Sequence, residues 1–302
     1  MTADRVATRR PEAEGEVYDL GYQRYAGERL GVPYAIRAIW RDSVRASLGL
    51  GRSLTSKLLP FGLIVLALAP ALITIVIAGF VSSFGGDLAE LELEEFTNQA
   101  YYEFAQIPLL LFAGALGPEM FCPDRRSGVL VLYLVRPITP IHYVAARWLG
   151  FFTVMLGILL FPQALVYLTQ LVIADNPWSW LGDHLDILPR AMLSGAILGA
   201  LLTTGALAIS AFTDRRPYAA GAILGVFFLT AAVGGIMSDV LDGASADWWA
   251  LVNVLGSFLE VNNWAFGDFD GELSAYVYLV EMVAVVALGW AVLWWRYRGA
   301  AS

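Results

Sequence analysis

The chain has 302 residues, of which 58% are hydrophobic and 15% are charged, and its formal net charge is −8. Soluble domains contain about 45–50% apolar and about 25% charged residues, so both values favour lipid as the surrounding medium. A single cysteine, Cys122, excludes an intrachain disulfide and a cysteine metal cluster, and the two histidines lie too far apart in sequence to favour a metal site.

The N-terminal 57 residues contain ten of the nineteen basic residues and no long apolar run, so they do not resemble a signal peptide. Residues 32–52 predict a helix that lies along the inner membrane surface, with an apolar arc flanked by arginines. A soluble amphipathic helix packed on a partner is the alternative. The apolar arc contains Ile36, Ile39, Trp40, Val44 and Leu48. The flanking arginines are Arg37, Arg41, Arg45 and Arg52.

Six later segments are long and apolar enough to cross a bilayer, which takes about 20 helical residues. They cover residues 58–80, 104–121, 143–174, 188–212, 219–237 and 275–295. The third segment exceeds this length, so we expect it to tilt or to project beyond the bilayer. A further stretch, residues 247–266, contains Trp248, Trp249, Phe258 and Trp264 but also several polar residues. It predicts a re-entrant or interfacial helical element on the outer face.

The charges of the connecting segments alternate along the chain, as the positive-inside rule describes. Basic residues occur before the first span, in residues 122–142 and 213–217, and after the last span. Residues 81–103, 175–187 and 238–274 contain acidic residues and neither lysine nor arginine. Six spans with both termini in the cytoplasm fit this pattern, with Arg190 as the exception. The predicted domains are a cytoplasmic segment, residues 1–57, and an all-α transmembrane domain, residues 58–298.

Motifs for ATP hydrolysis and for other catalysis are missing from the sequence. A phosphate-binding loop needs glycine directly before its lysine, whereas the single lysine, Lys57, follows Ser56. The sequence also lacks the Gly-x-Ser-x-Gly, His-Glu-x-x-His and Cys-x-x-Cys patterns. We therefore expect no catalytic residues, no cofactor or metal bound by this chain, and no nucleic-acid partner.

Four charged residues fall within or near the predicted spans, where an unpaired charge is costly. We expect Glu119, near the inner end of the second span, to pair with Arg125 or Arg126. Glu281, inside the sixth span, is a candidate for lining a substrate path or, equally, for pairing with another helix. Arg147 and Arg190 lie near span ends, which predicts that their side chains extend to the membrane surface. The full set of possible path or intramembrane residues is Glu119, Glu281, Trp248, Trp249 and Glu260.

The stretch from residue 119 to 147 is the most specific motif in the chain. An acidic–basic–glycine turn is followed by a leucine-rich segment, an Arg-Pro-Ile-Thr step, and a tyrosine and an arginine that open the third span. It resembles the first cytoplasmic loop of permeases of the type-2 ATP-binding-cassette (ABC) exporter family. Arginine replaces the lysine that is common before the third helix, which keeps the charge. The matching residues are Asp124, Arg125, Gly128, Leu130, Leu134, Arg136, Pro137, Ile138, Thr139, Tyr143 and Arg147.

The resemblance covers nearly the whole chain, because that family also has an interfacial helix, six spans and a re-entrant element before the last span. Residues 21–29 are similar to the start of actinobacterial members. The resemblance implies a bacterial cytoplasmic membrane protein that couples to separate ABC ATPase subunits, which bind ATP and Mg, and that pairs with a second copy or a paralogue, surrounded by lipid. The implied coupling residues are Asp124, Arg125, Arg126, Gly128, Leu130, Leu134, Arg136 and Pro137.

Two other functions compete with an exporter subunit at this point. An ion-coupled secondary transporter would use Glu119 and Glu281, but such folds usually contain internal repeats, and the sequence shows none. A lipid-modifying membrane enzyme would need a polar catalytic cluster, and none is evident. The residues therefore favour the permease subunit of an ATP-driven exporter.

Overall fold

The computed structural model describes residues 30–51, 53–84, 98–129, 138–174, 176–241, 244–271 and 273–299. Every regular element in these ranges is helical. In chain order they are α1 (Gly31–Ser47), α2 (Leu54–Phe84), α3 (Asn98–Leu116), α4 (Cys122–Arg126), α5 (Pro140–Ile173), α6 (Pro177–Asp183), α7 (Ile187–Ser210), α8 (Arg216–Val240), α9 (Ala244–Ala250), α10 (Val254–Phe266) and α11 (Ala275–Arg298). A 3-10 turn, Gly117–Met120, joins α3 to α4.

Within the described ranges, six helices are long and apolar enough to cross a membrane: α2, α3 with its extension, α5, α7, α8 and α11. Each coincides with a predicted span, so the fold fits a multi-pass integral membrane protein. Helix α5 has 34 residues. At 1.5 Å per residue it is about 51 Å long, compared with about 30 Å for the hydrocarbon core.

The six helices differ in how much of their surface the protein covers. The apolar windows of α3, α7 and α5 are 72%, 61% and 50% buried, whereas those of α2, α8 and α11 are 22%, 17% and 17% buried. Helix α3 lies at the centre, in contact with α2, α5, α7 and α8. The weakly covered faces of α2, α8 and α11 are apolar, so lipid or another apolar protein surface must cover them.

The second span begins at Asn98, six residues before the predicted start at residue 104. The polar side chains of this first turn are tolerated because neighbours satisfy them. Asn98 exchanges hydrogen bonds with the side chain and backbone of Gln163, and Gln99 donates to Asn263 Oδ1 over 3.2 Å. Hydropathy alone misses this turn because it scores each amide as if it had no partner.

Helix α1 packs along α5 and ends earlier than the predicted residue 52, which lies outside the described residues. Gly49 has a φ of 63°, its N–H donates to the Ala46 carbonyl, and the Leu50 N–H donates to the Arg45 carbonyl. These bonds form a Schellman motif, in which glycine adopts the left-handed conformation at little cost. The buried face is Ile39, Ser43 and Ser47, with the predicted apolar residues at its edges.

The serines of α1 are buried because each hydroxyl has a local acceptor. Ser43 donates to the Ile39 carbonyl and Ser47 to the Ser43 carbonyl, both over 2.8 Å. Small side chains let two helix backbones approach closely. The predicted apolar arc therefore identified the side of α1 that packs on the protein, but it left out Ser43 and Ser47, which lie at the centre of that side.

The segment predicted at residues 247–266 forms two short helices, α9 and α10, joined by a turn. Asn253 caps α10, its side chain accepting from the Gly256 N–H over 3.1 Å. The turn sits against Gly234 of α8, where an added Cβ would come within 2.6 Å of the Asn253 nitrogen. Helix α10 then packs on α3, α7, α8 and α11, and neither short helix is long enough by itself to cross a bilayer.

The bundle has two ends that differ in composition. At the α4 end, α3, α7 and α11 finish and α5 and α8 begin. At the α10 end, α3, α7 and α11 begin and α5 and α8 finish. These two names are used below. The predicted residues 21–29, Leu130, Leu134, Arg136 and Pro137 lie outside the described residues.

Candidate functional site

Helix α4 starts the stretch that carries the sequence motif. The 3-10 turn at Pro118 ends α3, and Pro123 favours a new helix start because it needs no N–H partner there. After five residues the chain turns at Gly128, whose φ of 67° favours glycine. The Gly128 N–H donates to the Arg125 carbonyl over 3.2 Å. Helix α4 is thus a short helix of five residues, with a proline near its start and a glycine turn after its end.

Arg147 of α5 is the centre of a charged cluster that joins three helices. Its Nη1 donates to Asp42 of α1 over 2.8 Å, and its Nη2 donates to Asp124 of α4 over 2.6 Å. The Tyr143 hydroxyl donates to the same Asp124 oxygen over 2.7 Å. We call Asp42, Asp124, Tyr143 and Arg147 the Arg147 cluster. Charged hydrogen bonds of this kind are stronger than neutral ones.

Burial makes the Arg147 cluster more than a surface ion pair. The side chain of Arg147 is 4% exposed and that of Asp124 is 14% exposed, whereas that of Asp42 is 62% exposed. The expectation that Arg147 extends to the membrane surface is therefore wrong. The guanidinium stays inside the protein because the carboxylates of two other helices neutralise it, and neither aspartate is close to it in sequence.

An aromatic layer lies beside the cluster. Phe121 and Tyr297 have ring centroids 5.1 Å apart, and Tyr143 lies 6.0 Å from Phe121 and 6.1 Å from Tyr297. All three residues are less than 5% exposed. Rings packed in this way exclude water, which strengthens the neighbouring charge interactions.

Helix α1 is fixed to α5 on both sides of Ser43. A Cβ added to Gly150 of α5 would overlap the Ser43 side chain and lie 2.9 Å from the Trp40 carbonyl. The Trp40 indole donates to Thr153 Oγ1 over 3.1 Å. Together with the bonds from Arg147 to Asp42 and Asp124, these contacts join α1, α4 and the start of α5.

A second set of polar contacts ties α4 to the turn between α7 and α8. Glu119 pairs with Arg216 at the start of α8, rather than with the predicted Arg125 or Arg126. Arg125 donates to the Ala211 carbonyl at the end of α7, and Arg296 Nε of α11 donates to the same carbonyl over 3.3 Å. Carbonyls at a helix end lack intrahelical partners, so arginines are well suited to them.

The other predicted candidates lie apart from this site. Glu281 precedes Arg296 by 15 residues in α11, so the two are about 22 Å apart along the helix. Neither carboxylate oxygen of Glu281 has a hydrogen-bond partner. Ser257 of α10 is near enough to interact with it, yet its hydroxyl also lacks a hydrogen-bonded partner. The structure therefore does not bring Glu119 and Glu281 together.

The aromatic candidates of α9 and α10 have different environments. Trp248, Trp249 and Trp264 are partly to largely exposed, at 59%, 39% and 37%. Phe258, in contrast, is fully buried, with its ring centroid 6.0 Å from that of Tyr102. Burial, and to a smaller extent the charge of Asp270, raises the pKa of Glu260.

An open cleft of about 1070 Å³ lies at the α10 end. The acidic residues that line it are Glu103, Asp183, Asp186 and Asp268. Arg190 lines the same cleft and is held by Asp186 and by the Phe266 carbonyl. Nowhere among the described residues do three or more His, Cys, Asp or Glu side chains gather in a way that could hold a metal ion.

Sequence reasoning missed Asp42, Arg216 and the aromatic Tyr297 as parts of the α4 end. The sequence does single out Asp42, because it is the only acidic residue between residues 30 and 57 and has several arginines around it. In the residues that the structure describes, the fold is helical throughout and fits a multi-pass membrane protein, with a buried ionic junction at the α4 end. No protein-family model matches the chain, and no curated protein matches it.

Proposed function

We propose that the chain is the permease subunit of an ABC exporter, which moves its substrate with ATP hydrolysed by a separate subunit. The observation that supports this most is the bond from Asp124 through Arg147 to Asp42. It links Asp124, the acidic residue of the acidic–basic–glycine turn, both to α1 and to the long helix α5. A contact that pushes on α4 would therefore move α5 and α1 directly.

We also propose that the α4 end faces the cytoplasm, with both termini on that side. Arg125, Arg126, Arg215, Arg216, Arg296 and Arg298 all belong to helix ends or turns at this end. The positive-inside rule favours this orientation. It places α9 and α10 in a re-entrant position at the outer face, with their exposed tryptophans at the depth where indole rings concentrate.

The position of α1 on α5 supports an interfacial location for α1. Its contacts fall on Arg147, Gly150 and Thr153, which are 7 to 13 residues after the start of α5 at Pro140. That distance is about 10–20 Å along the helix. The excess length of α5 over the hydrocarbon core is about 20 Å, so α1 would lie near the membrane surface.

Cysteine labelling tests this topology because the chain has a single cysteine. In a Cys122→Ala background, Ser127→Cys and Ser179→Cys introduce exposed thiols at the α4 end and in α6 at the α10 end. In intact cells, an impermeant maleimide should label Cys at position 179 and should label position 127 only after lysis. The reverse pattern would refute the orientation.

The proposed mechanism passes movement from an ATPase pair to two permease chains. Closure of the ATPases on ATP and Mg pushes α4 and residues 124–137. The Arg147 cluster carries the movement to α1 and α5, and Arg125 with Glu119 carries it to α7, α8 and α11. The apolar faces of α2, α8 and α11 supply surfaces for lipid and for the second copy or paralogue in the bacterial cytoplasmic membrane.

Substitutions in the motif test the coupling role. Replacing Gly128 by valine puts a β-branched side chain at a φ of 67°, which distorts the turn after α4. Gly128→Val and Arg136→Ala should reduce ATP-driven transport while insertion and expression stay normal. Gly182→Val, at an exposed position of α6 where a Cβ meets nothing within 4 Å, is the control. Unchanged transport in both motif variants would refute the coupling assignment.

Ion-coupled secondary transport is the second candidate, and the unpaired carboxylate of Glu281 is the observation that favours it. That mechanism predicts substrate movement in liposomes containing this chain alone, driven by an ion gradient and abolished by Glu281→Gln. The exporter mechanism predicts no movement without the ATPase subunit.

A further inference from the structure

A groove of about 340 Å³ runs between α1, α2 and α5. Its walls are almost entirely apolar. The residues used below are Val44 and Leu48 of α1, Ile64 and Leu68 of α2, and Gly157 and Phe161 of α5. Thr153, whose hydroxyl accepts a hydrogen bond from the Trp40 indole, also lines the groove. From Thr153 to Phe161 the groove follows α5 for about 12 Å.

A row of arginines borders the groove on α1. Arg37, Arg41 and Arg45 are four residues apart and therefore project from one side of the helix. They line an open depression of about 890 Å³, together with Tyr34, Trp40 and Asp42. The Asp42 carboxylate is already paired with Arg147, so the three arginines outnumber the acidic charge there. In the part of the chain that the structure describes, none of the three arginines forms an ion pair.

The depression and the groove adjoin on α1. Val44 follows Arg41 by three residues, and Leu48 follows Arg45 by three, so each apolar wall residue neighbours an arginine on the helix surface. Trp40 contributes to the depression and hydrogen-bonds to Thr153 of the groove. A ligand with an anionic head and an apolar chain would satisfy both surfaces at once.

We propose that one anionic phospholipid binds here, with its phosphate at Arg41 and Arg45 and one acyl chain in the groove. The charge of the arginine row selects an anionic head, and the apolar groove between two span-length helices selects an acyl chain. A free phosphate would leave the groove empty, and a neutral lipid would leave the arginines unpaired.

This site depends on α1 lying at the membrane surface and not on an ATPase partner. By occupying the junction of α1, α2 and α5, the lipid would hold α1 against the bundle and so support the Arg147 cluster. Failure of the lipid site would leave the exporter proposal standing, because the test below needs no ATPase.

The experiment is lipid retention by the purified chain in neutral detergent, measured by native mass spectrometry during titration with phosphatidylglycerol or phosphatidylcholine. We expect one tightly held phosphatidylglycerol per chain and weaker retention of phosphatidylcholine. Each basic residue near an anionic lipid contributes about 1 kcal/mol, so Arg41→Gln with Arg45→Gln should weaken phosphatidylglycerol binding about thirtyfold. The matched control, Arg215→Gln with Arg298→Gln, should bind normally.

Filling the groove gives an independent arm. Gly157 lines the groove, and a Cβ added there meets nothing within 4 Å, so the side chain of Gly157→Leu should extend into the acyl position. We expect it to abolish tight phosphatidylglycerol retention, whereas Gly225→Leu, in a similar open position on α8, should not.

Four results would overturn the proposal. Two concern affinity: equal retention of the two lipids, and no effect of Gly157→Leu. The other two are displacement of phosphatidylglycerol by millimolar inorganic phosphate, and a Gly157→Leu chain whose mass falls from two copies to one while the lipid stays bound. The last two would assign the site to a free anion or to a second copy of the chain.

Discussion

The two ends of the bundle are held together by different chemistry. At the α4 end, the contacts between helices are ion pairs, from Arg147 to two aspartates and from Arg216 to Glu119. At the α10 end, no ion pair between different helices is found among the described residues, and neutral amides join the helices: Asn98 with Gln163, and Gln99 with Asn263. The guanidinium of Arg190 there pairs with the nearby Asp186 and donates to the Phe266 carbonyl. A buried ion pair is costly to break, whereas amide pairs fix helix register without fixed charge. The two ends should therefore respond differently to the loss of one partner.

Removing the charge at the centre of the α4 end should have the largest effect. Arg147→Ala leaves Asp124 buried without its counter-charge, which costs about 3–5 kcal/mol of unfolding free energy. Arg190→Ala, at the α10 end, removes a guanidinium that is 38% exposed and should cost less than about 1 kcal/mol. Equilibrium unfolding in mixed micelles measures both, and equal losses would show that the ends do not differ.

Disturbing the fit of α1 on α5 should have the next largest effect. In Gly150→Ala the new methyl group overlaps Ser43, so α1 must shift away, at a cost of about 1–3 kcal/mol. Gly157→Ala adds the same methyl group where nothing lies within 4 Å. Thermal unfolding of the two variants should separate them; if Gly157→Ala destabilises as much, the close α1–α5 contact is unimportant.

At the α10 end, breaking the amide pair should cost less than removing Arg147. Asn98→Ala removes the amide that donates to the Gln163 side-chain oxygen and backbone carbonyl, which costs about 1–2 kcal/mol. Because neither group is charged, this loss should not change with salt or pH between 5 and 9. A salt-dependent loss at Asn98 would contradict the neutral character assigned to this end.

Replacing the unpaired carboxylate of α11 should stabilise the protein. Glu281→Gln removes a group whose two oxygens have no hydrogen-bond partner, and the unfolding free energy should rise by about 1 kcal/mol. Glu119→Gln, at the opposite end, removes one side of an ion pair and should lower it. The two variants in the same unfolding assay should thus shift in opposite directions, and a common direction would contradict the pairing described.

The smallest effect concerns pH at Glu260. Burial raises the pKa of this carboxyl above its ordinary value of 4.5. The folded state therefore binds its proton more tightly than the unfolded state, and the unfolding free energy falls as pH rises from below 4.5 through the folded pKa. Glu260→Gln should remove this contribution, measured as the difference in unfolding free energy between wild type and variant across that range. A difference that changes with pH in the opposite direction would show that a nearby positive charge, and not burial, controls this carboxyl.

Hydropathy and charge predicted the six span-length helices because these are local properties of the sequence. The pairing within the α4 end was harder to predict, since Asp42 and Arg147 are 105 residues apart in sequence and meet only through packing. The predicted extension of Arg147 to the surface was wrong for the same reason. Asp124 and Tyr143 were placed in the motif from the sequence, but their shared hydrogen bond depends on where α4 folds.

The burial of Ser43 and Asn98 illustrates the second limit of sequence reasoning. Both residues look solvent-exposed by composition, yet each finds acceptors or donors inside the protein. A residue scale assigns one cost to a polar group, whereas the actual cost depends on partners that other helices supply.

Reconstitution with a candidate ABC ATPase tests the central claim most directly. The chain should be co-expressed with an ABC ATPase that contains a phosphate-binding loop and is a candidate partner subunit. The purified complex and the chain alone should then be placed in separate liposome samples. The exporter account predicts co-purification of the ATPase and substrate movement that needs ATP and both chains, and that Gly128→Val reduces. Movement driven by the chain alone, without any ATPase, would contradict it.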